Sequence, residues 1–126
     1  MIDLTKKFFN MKGRLNRKPF FLRTVILFAI TVAMNMLMEV TENSVMAVAL
    51  FAAFLSIIVG VAIMISYVSL MIRRLNDLNK EKTLKIFLVV LGLLPVTSLL
   101  IMAYLLSAKG TPGSNKYGDD PIKDLI

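Results

Sequence analysis

VMAVALFAAFLSIIVGVAIMISYVSLMI, residues 45–72, runs for 28 positions without a charged side chain. As a helix it measures roughly 40 Å at 1.5 Å per residue. That exceeds the hydrocarbon core of a bilayer, about 30 Å, so a spanning helix of this length tilts or extends into the headgroups. It is too short for two spans. Two further uncharged runs flank it, residues 24–38 and 86–108. The expected fold is therefore an all-α membrane protein, a single integral membrane domain over residues 1–126. It has three transmembrane helices, at about 20–38, 45–72 and 86–108.

Composition agrees with this class. Hydrophobic residues make up 57% of the 126 positions, and mean hydropathy is +0.75. A soluble chain this short does not enclose so much apolar surface, because small domains bury the smallest fraction of theirs. The net charge is +7, from 15 Lys and Arg against 8 Asp and Glu. These charges flank the apolar runs, and no nucleic-acid recognition motif accompanies them. Anionic lipid headgroups are the simpler partner, and nucleic acid is not expected. Cys and His are absent. Disulfides, thiolate chemistry and most transition-metal sites are thereby excluded, and no metal, cofactor or catalytic residue is assigned.

The N-terminal arm reads as an interfacial amphipathic helix. Met1, Leu4, Phe8 and Met11 recur at spacings of three and four, with Lys6, Lys7 and Lys12 off that stripe. A disordered basic arm is the plainer alternative. Seven of the first 23 residues are Lys or Arg, and no small-residue cleavage site follows a short apolar core, so the arm is expected to be retained. Pro19 suits the first turn of the first span. In the second, Ala52, Ser56 and Gly60 form a small-residue stripe, a candidate helix-packing face. In the third, Gly92 and Pro95 should bend the helix, with Thr97 and Ser98 repairing the freed carbonyls. A re-entrant hairpin is the less favoured reading of that segment.

Positive charge sets the expected orientation. Seven Lys and Arg precede the first run, none lies in the first connection, five lie in the second, and three lie in the tail. Three spans then place twelve on one side and three on the other. The expected topology is multi-pass in the inner (plasma) membrane of a bacterium, with the N-terminus cytoplasmic and the C-terminus periplasmic or extracellular.

Three stretches outside the spans are patterned: GRLNRKPF at 13–20, RRLND at 73–77 and GTPGSNKYGDDP at 110–121. Arg14 and Arg17, three apart, would share a helix face and grip one lipid phosphate, or simply set topology. Arg73 and Asp77, four apart, would pair along a helix end. Arg14, Arg17, Arg73, Arg74 and Asp77 thus form a candidate lipid-phosphate or structural motif. Gly110, Gly113, Asn115, Tyr117, Gly118, Asp120 and Pro121 mark a candidate structured tail. Asp119 and Asp120 alone are a weak cation signal.

Taken together and in order, these stretches resemble the family called domain of unknown function 805, small bacterial inner-membrane proteins. Its members carry a G-R-x-x-R-x-x-aromatic entry to the first span, R-R-L-H-D after the second, and G-T-x-G-x-N-x-aromatic-G-x-D-P after the last. Asn76 stands where the family usually has His. A proton-carrying role would not survive that exchange, whereas a hydrogen-bonding role would. The resemblance implies localisation and fold but no chemistry. The functional expectation is a non-enzymatic scaffold, lipid-interacting or partner-regulating protein, as a homo-oligomer or with other membrane proteins. The alternative is a transporter or channel subunit that forms its pathway by oligomerising, with the Ala52–Ser56–Gly60 stripe and Asn35, Ser66, Tyr67 and Ser69 lining that interface.

Overall fold

The computed structural model describes residues 8–9 and 11–118. Four helices follow one another: α1 (Arg17–Thr41), α2 (Met46–Asp77), α3 (Lys82–Leu93) and α4 (Pro95–Ser107). Residues 1–7 and 10, which carry most of the expected amphipathic helix, lie outside the described residues, although Phe8 and Phe9 are helical. Asp119, Asp120 and Pro121 of the tail pattern also lie outside them.

α1 and α2 pack against each other as an antiparallel pair, joined by a tight turn in which Ser44 N–H donates to Thr41 O at 3.0 Å. With 25 and 32 residues they reach about 38 and 48 Å, enough to cross a bilayer. Only 11% and 6% of their most apolar windows is buried, unlike the core helices of a soluble protein. Phe28, Phe51 and Phe54 stand outward, exposed. Such a surface is satisfied by lipid tails and not by water. Both helices outrun the expected spans: α2 continues through 73–77, so the RRLND stretch is helical.

The third apolar run departs from the single span expected over 86–108. It forms two helices of 12 and 13 residues that meet at Leu94 and Pro95. At about 18 and 20 Å, each is shorter than the hydrocarbon core of about 30 Å. Pro95 lacks an N–H and excludes helical backbone from the residue before it, and Leu94 is accordingly extended, at φ −86° and ψ 143°. Thr97 Oγ1 donates to Leu91 O at 2.5 Å and Ser98 N–H to Leu94 O at 2.8 Å, which closes the tip. α4 then returns. Its last turn reaches the same end of α2 that α3 leaves, because Arg74 of α2 donates to Leu105 O and Ala108 O. Arm and tail therefore lie at one end of the bundle, whereas the three-span reading puts them on opposite sides of the membrane.

The core sits at that end. Leu15, Phe20, Leu70, Met71, Leu75, Val89, Ile101 and Leu105 pack there between the arm, the two long helices and the hairpin. Gly92 admits the close approach of α3: a β-carbon on it would stand 2.7 Å from Met71 Sδ and 3.4 Å from Ile101 Cγ2.

Candidate functional site: a buried arginine–aspartate knot

α2 ends where its sequence turns polar, and its last carbonyls are all occupied. Leu78 N–H donates to Arg74 O, Asn79 N–H to Asn76 O and Lys80 N–H to Leu75 O. Asn79, at φ 59°, supplies the left-handed residue that such a helix ending requires. Thr111 N–H from the tail takes Asp77 O at 2.8 Å, and Leu15 N–H from the arm takes Arg73 O at 3.1 Å. Backbone bonds thus join three distant segments at one helix terminus.

Side chains complete the junction. Arg74 is fully buried. Its Nε donates to Leu105 O at 2.8 Å and its Nη2 to Ala108 O at 2.5 Å. Its Nη1 donates to Leu15 O at 3.2 Å and to Asp77 Oδ2 at 2.5 Å. One guanidinium therefore caps the orphan carbonyls of α4, holds the arm and neutralises Asp77. Arg14 approaches Asp77 from the other side, with Nη2 2.9 Å and Nε 3.0 Å from Oδ1. Its Nη1 donates to Gly113 O at 2.5 Å and Gly118 O at 3.3 Å, and Nη2 also donates to Thr111 O. The planar fork of Arg suits this convergence of a carboxylate and carbonyls.

Asp77 consequently pairs with Arg74, three residues away, and with Arg14, sixty-three away. The expected pair with Arg73 is not the one formed. Arg73 is half-buried, and its backbone carbonyl accepts from Leu15 N–H of the arm. Arg14 and Arg17 do not share a helix face. Arg14 precedes α1 and turns inward, while Arg17 opens the helix and makes a long, exposed bond of 3.4 Å to Ser107 O.

Asn76 is 3% exposed. It donates to Gly13 O at 2.8 Å and accepts from Lys85 Nζ at 2.7 Å, tying α2 to the arm and to α3. The tail forms a small turn in which Asn115 and Gly118 exchange backbone hydrogen bonds. Asn115 Nδ2 donates to Asn76 O at 3.0 Å, and the Tyr117 hydroxyl donates to Lys80 O. Lys85 Nζ sits 4.1 Å from the Tyr117 ring centre. Gly113 (φ 72°) occupies the left-handed backbone that a Pro-Gly turn needs. Gly110 passes so close to Asp77 that a β-carbon would overlap the carboxylate.

The small-residue stripe divides. Ala52 is buried, but a β-carbon on Gly60 would have nothing within 4 Å, so Gly60 is not a close helix contact within this chain. Gly60 and Ser56 line a cleft of about 580 Å³ between α1, α2 and the hairpin tip, together with Asn35 and Tyr67. Ser66 and Ser69 are buried instead, and Ser69 Oγ donates to Ile65 O at 2.9 Å. The cleft was not singled out as a site from the sequence. Asn35, within an apolar run, was the available signal.

Comparison with known proteins agrees with this layout. The profile of the family described as "Protein of unknown function (DUF805)" matches residues 8–119. The chain belongs to this family. All three patterned stretches fall within the family match except the last residues of the tail. Among curated relatives, the "Inner membrane protein YhaI" of Escherichia coli (strain K12) is 25% identical over 120 residues, covering 95% of this chain and 92% of the relative. The protein of that name from Escherichia coli O157:H7 matches equally. No solved structure matches.

Proposed function

We propose that this protein is a non-enzymatic scaffold of the bacterial inner membrane. It crosses the bilayer twice, inserts a helical hairpin part-way, and holds a small rigid head at the cytoplasmic surface. The observation that carries this reading is the commitment of the Arg14–Asp77–Arg74 cluster. Every guanidinium nitrogen of the two arginines has an acceptor in Asp77 or in a main-chain carbonyl of the arm, α4 or the tail. Groups spent in this way hold segments together and do not shuttle protons. The similarity to inner membrane protein YhaI supports the inner membrane.

Charge supports the side. With two crossings, all 15 Lys and Arg fall at one membrane face, and the turn that follows α1, with Glu42, falls at the other. That is a stronger bias than three crossings give, and the basic face is the cytoplasmic one. Single Cys probes in this cysteine-free chain test the reading. Thr41→Cys should label from outside intact cells, and Lys80→Cys and Ser114→Cys should label only after lysis. External labelling of Ser114→Cys would restore a third crossing and remove the head.

The cleft favours a second reading, a transporter subunit, because Asn35, Ser56 and Tyr67 place polar groups along it. Ion or solute flux in proteoliposomes would support that reading over the scaffold.

A further inference from the structure

Asn35 lies twelve positions beyond Arg23 and seven before Glu42, about 18 and 10 Å along α1. Its amide therefore falls within the hydrocarbon layer. The residue is exposed, and among the described residues its side chain makes no hydrogen bond. The two threonines that flank it on the same helix differ: Thr31 and Thr41 donate to Leu27 O and Leu37 O. An amide carries two donors and an acceptor. In an apolar layer each of these is costly until it is matched. A polar side chain at that depth, turned away from the protein's own carbonyls, points to a bound molecule.

Asn35 opens into the cleft between α1, α2 and the hairpin tip. The cleft holds about 580 Å³, within the range of small-molecule sites, roughly 300–1,000 Å³. Phe28, Met34, Met38, Met64 and Met102 line it, and Gly60 leaves open space on α2. Methionine walls adapt their shape to an apolar guest. Among the described residues no charged side chain lines the cleft, so nothing there would balance an ionic group. The helix surfaces around it are exposed and apolar, so its guests arrive from the bilayer interior. The depth of Asn35 selects further. Phospholipid headgroups and their esters lie toward the interface, whereas the amide is reached by polar groups that dissolve in hydrocarbon. An uncharged carbonyl is such a group, and it accepts from an amide N–H.

We infer that the cleft binds one uncharged lipophile through a carbonyl group, of the chemical class of a quinone ring, the carbonyl accepting from the Asn35 amide and the apolar body lying along Phe28, Gly60 and Met64 toward the hairpin tip. The inference rests on the membrane reading above but not on which face is cytoplasmic. The labelling experiment and the binding experiment therefore fail independently.

Equilibrium binding of decylubiquinone to the full-length protein in dioleoyl phosphatidylcholine nanodiscs, corrected for partition into empty nanodiscs, tests it. Decylbenzene offers a similar apolar body without carbonyls, and the nanodisc lipid supplies ester carbonyls in excess. One decylubiquinone per chain should bind saturably, and decylbenzene should not. Asn35→Leu should weaken binding about tenfold, as for one lost hydrogen bond, without lowering the melting temperature. Asn35→Gln, which keeps the amide, should retain binding. Gly60→Phe enters open space and should block the body of the ligand with the melting temperature unchanged. Tyr67→Phe, at the other end of the cleft, should bind like the wild type. Absence of saturable decylubiquinone binding would overturn the inference, as would equal binding of decylbenzene or wild-type binding by Asn35→Leu. A loss seen with Tyr67→Phe in place of Asn35→Leu would overturn the assigned contact. A dimer that Asn35→Leu dissolves would overturn it as well, because a second copy of the chain would then be satisfying the amide.

Discussion

Gly110 lies against the Asp77 carboxylate with no room for a side chain between them. Asp77 cannot withdraw, because Arg14 and Arg74 hold its two oxygens from opposite sides. Gly110→Ala should therefore cost about 1–3 kcal/mol, the range for overpacking a tight site. The detergent melting temperature should fall accordingly. Gly60→Ala, with open space around it, is the control and should be neutral. An unchanged melting temperature for Gly110→Ala would show that the tail does not dock on Asp77.

The knot itself should not tolerate charge-preserving exchange. Arg14→Lys and Arg74→Lys keep the charge but lose the fork that reaches several acceptors at once. Asp77→Asn leaves two buried guanidinium groups without their counter-ion. Each should cost on the order of 3–5 kcal/mol, the penalty for breaking a buried pair, read as lost membrane yield and faster proteolysis of the arm. Arg17→Lys, with one long exposed contact, should be silent. Wild-type yield and melting for the three knot variants would leave the motif as a charge anchor only.

Asn76 offers a test by pH. Its side chain donates to Gly13 O and accepts from Lys85 Nζ, a pair of roles that a neutral imidazole also fills. Asn76→His should match the wild type at pH 8. Protonation would remove the acceptor and place a second cation beside Lys85, so the folded-state pKa of the new His should lie below its unfolded value of about 6.5. The unfolded state then binds more protons as pH falls, so stability is lost below about pH 6.5, by about 1.4 kcal/mol per unit of depression. Melting curves of the variant and wild type between pH 8 and 5 decide this. Parallel curves would refute the Lys85 contact.

Tyr117 joins the tail to both sides of the second connection, through Lys80 O and under the Lys85 ammonium. Tyr117→Leu removes a hydrogen bond and a cation–π contact, together about 1–2 kcal/mol. Trypsin should then cut at Lys109 and Lys116 faster than in the wild type. Equal cleavage would mean that the contacts of Thr111, Asn115 and Arg14 hold the tail turn without Tyr117.

How far this arrangement could be read beforehand depended on the range of the interaction. The α1–α2 pair was legible, because length and uninterrupted apolarity are local properties of residues 24–38 and 45–72. The fate of residues 86–108 was not. Pro95 in an apolar run permits a kinked span or a hairpin, and the choice rests on Arg74 reaching Leu105 and Ala108, 31 and 34 positions away. Asp77 was likewise recognised, but local spacing favoured Arg73 over Arg14, whose approach depends on how the arm returns. One signal in the sequence accords with the proposed topology: folding the tail back moves its three basic residues to the side that already holds twelve.

The shortness of α3 and α4 has a mechanical consequence. In the proposed topology, the leaflet that holds the hairpin contains four helices, each about 10–12 Å across, whereas the opposite leaflet contains two. In that topology the molecule would be a wedge in cross-section. A membrane crowded with such wedges would relieve lateral pressure by bending, with the arginine-rich face on the convex side of the bend.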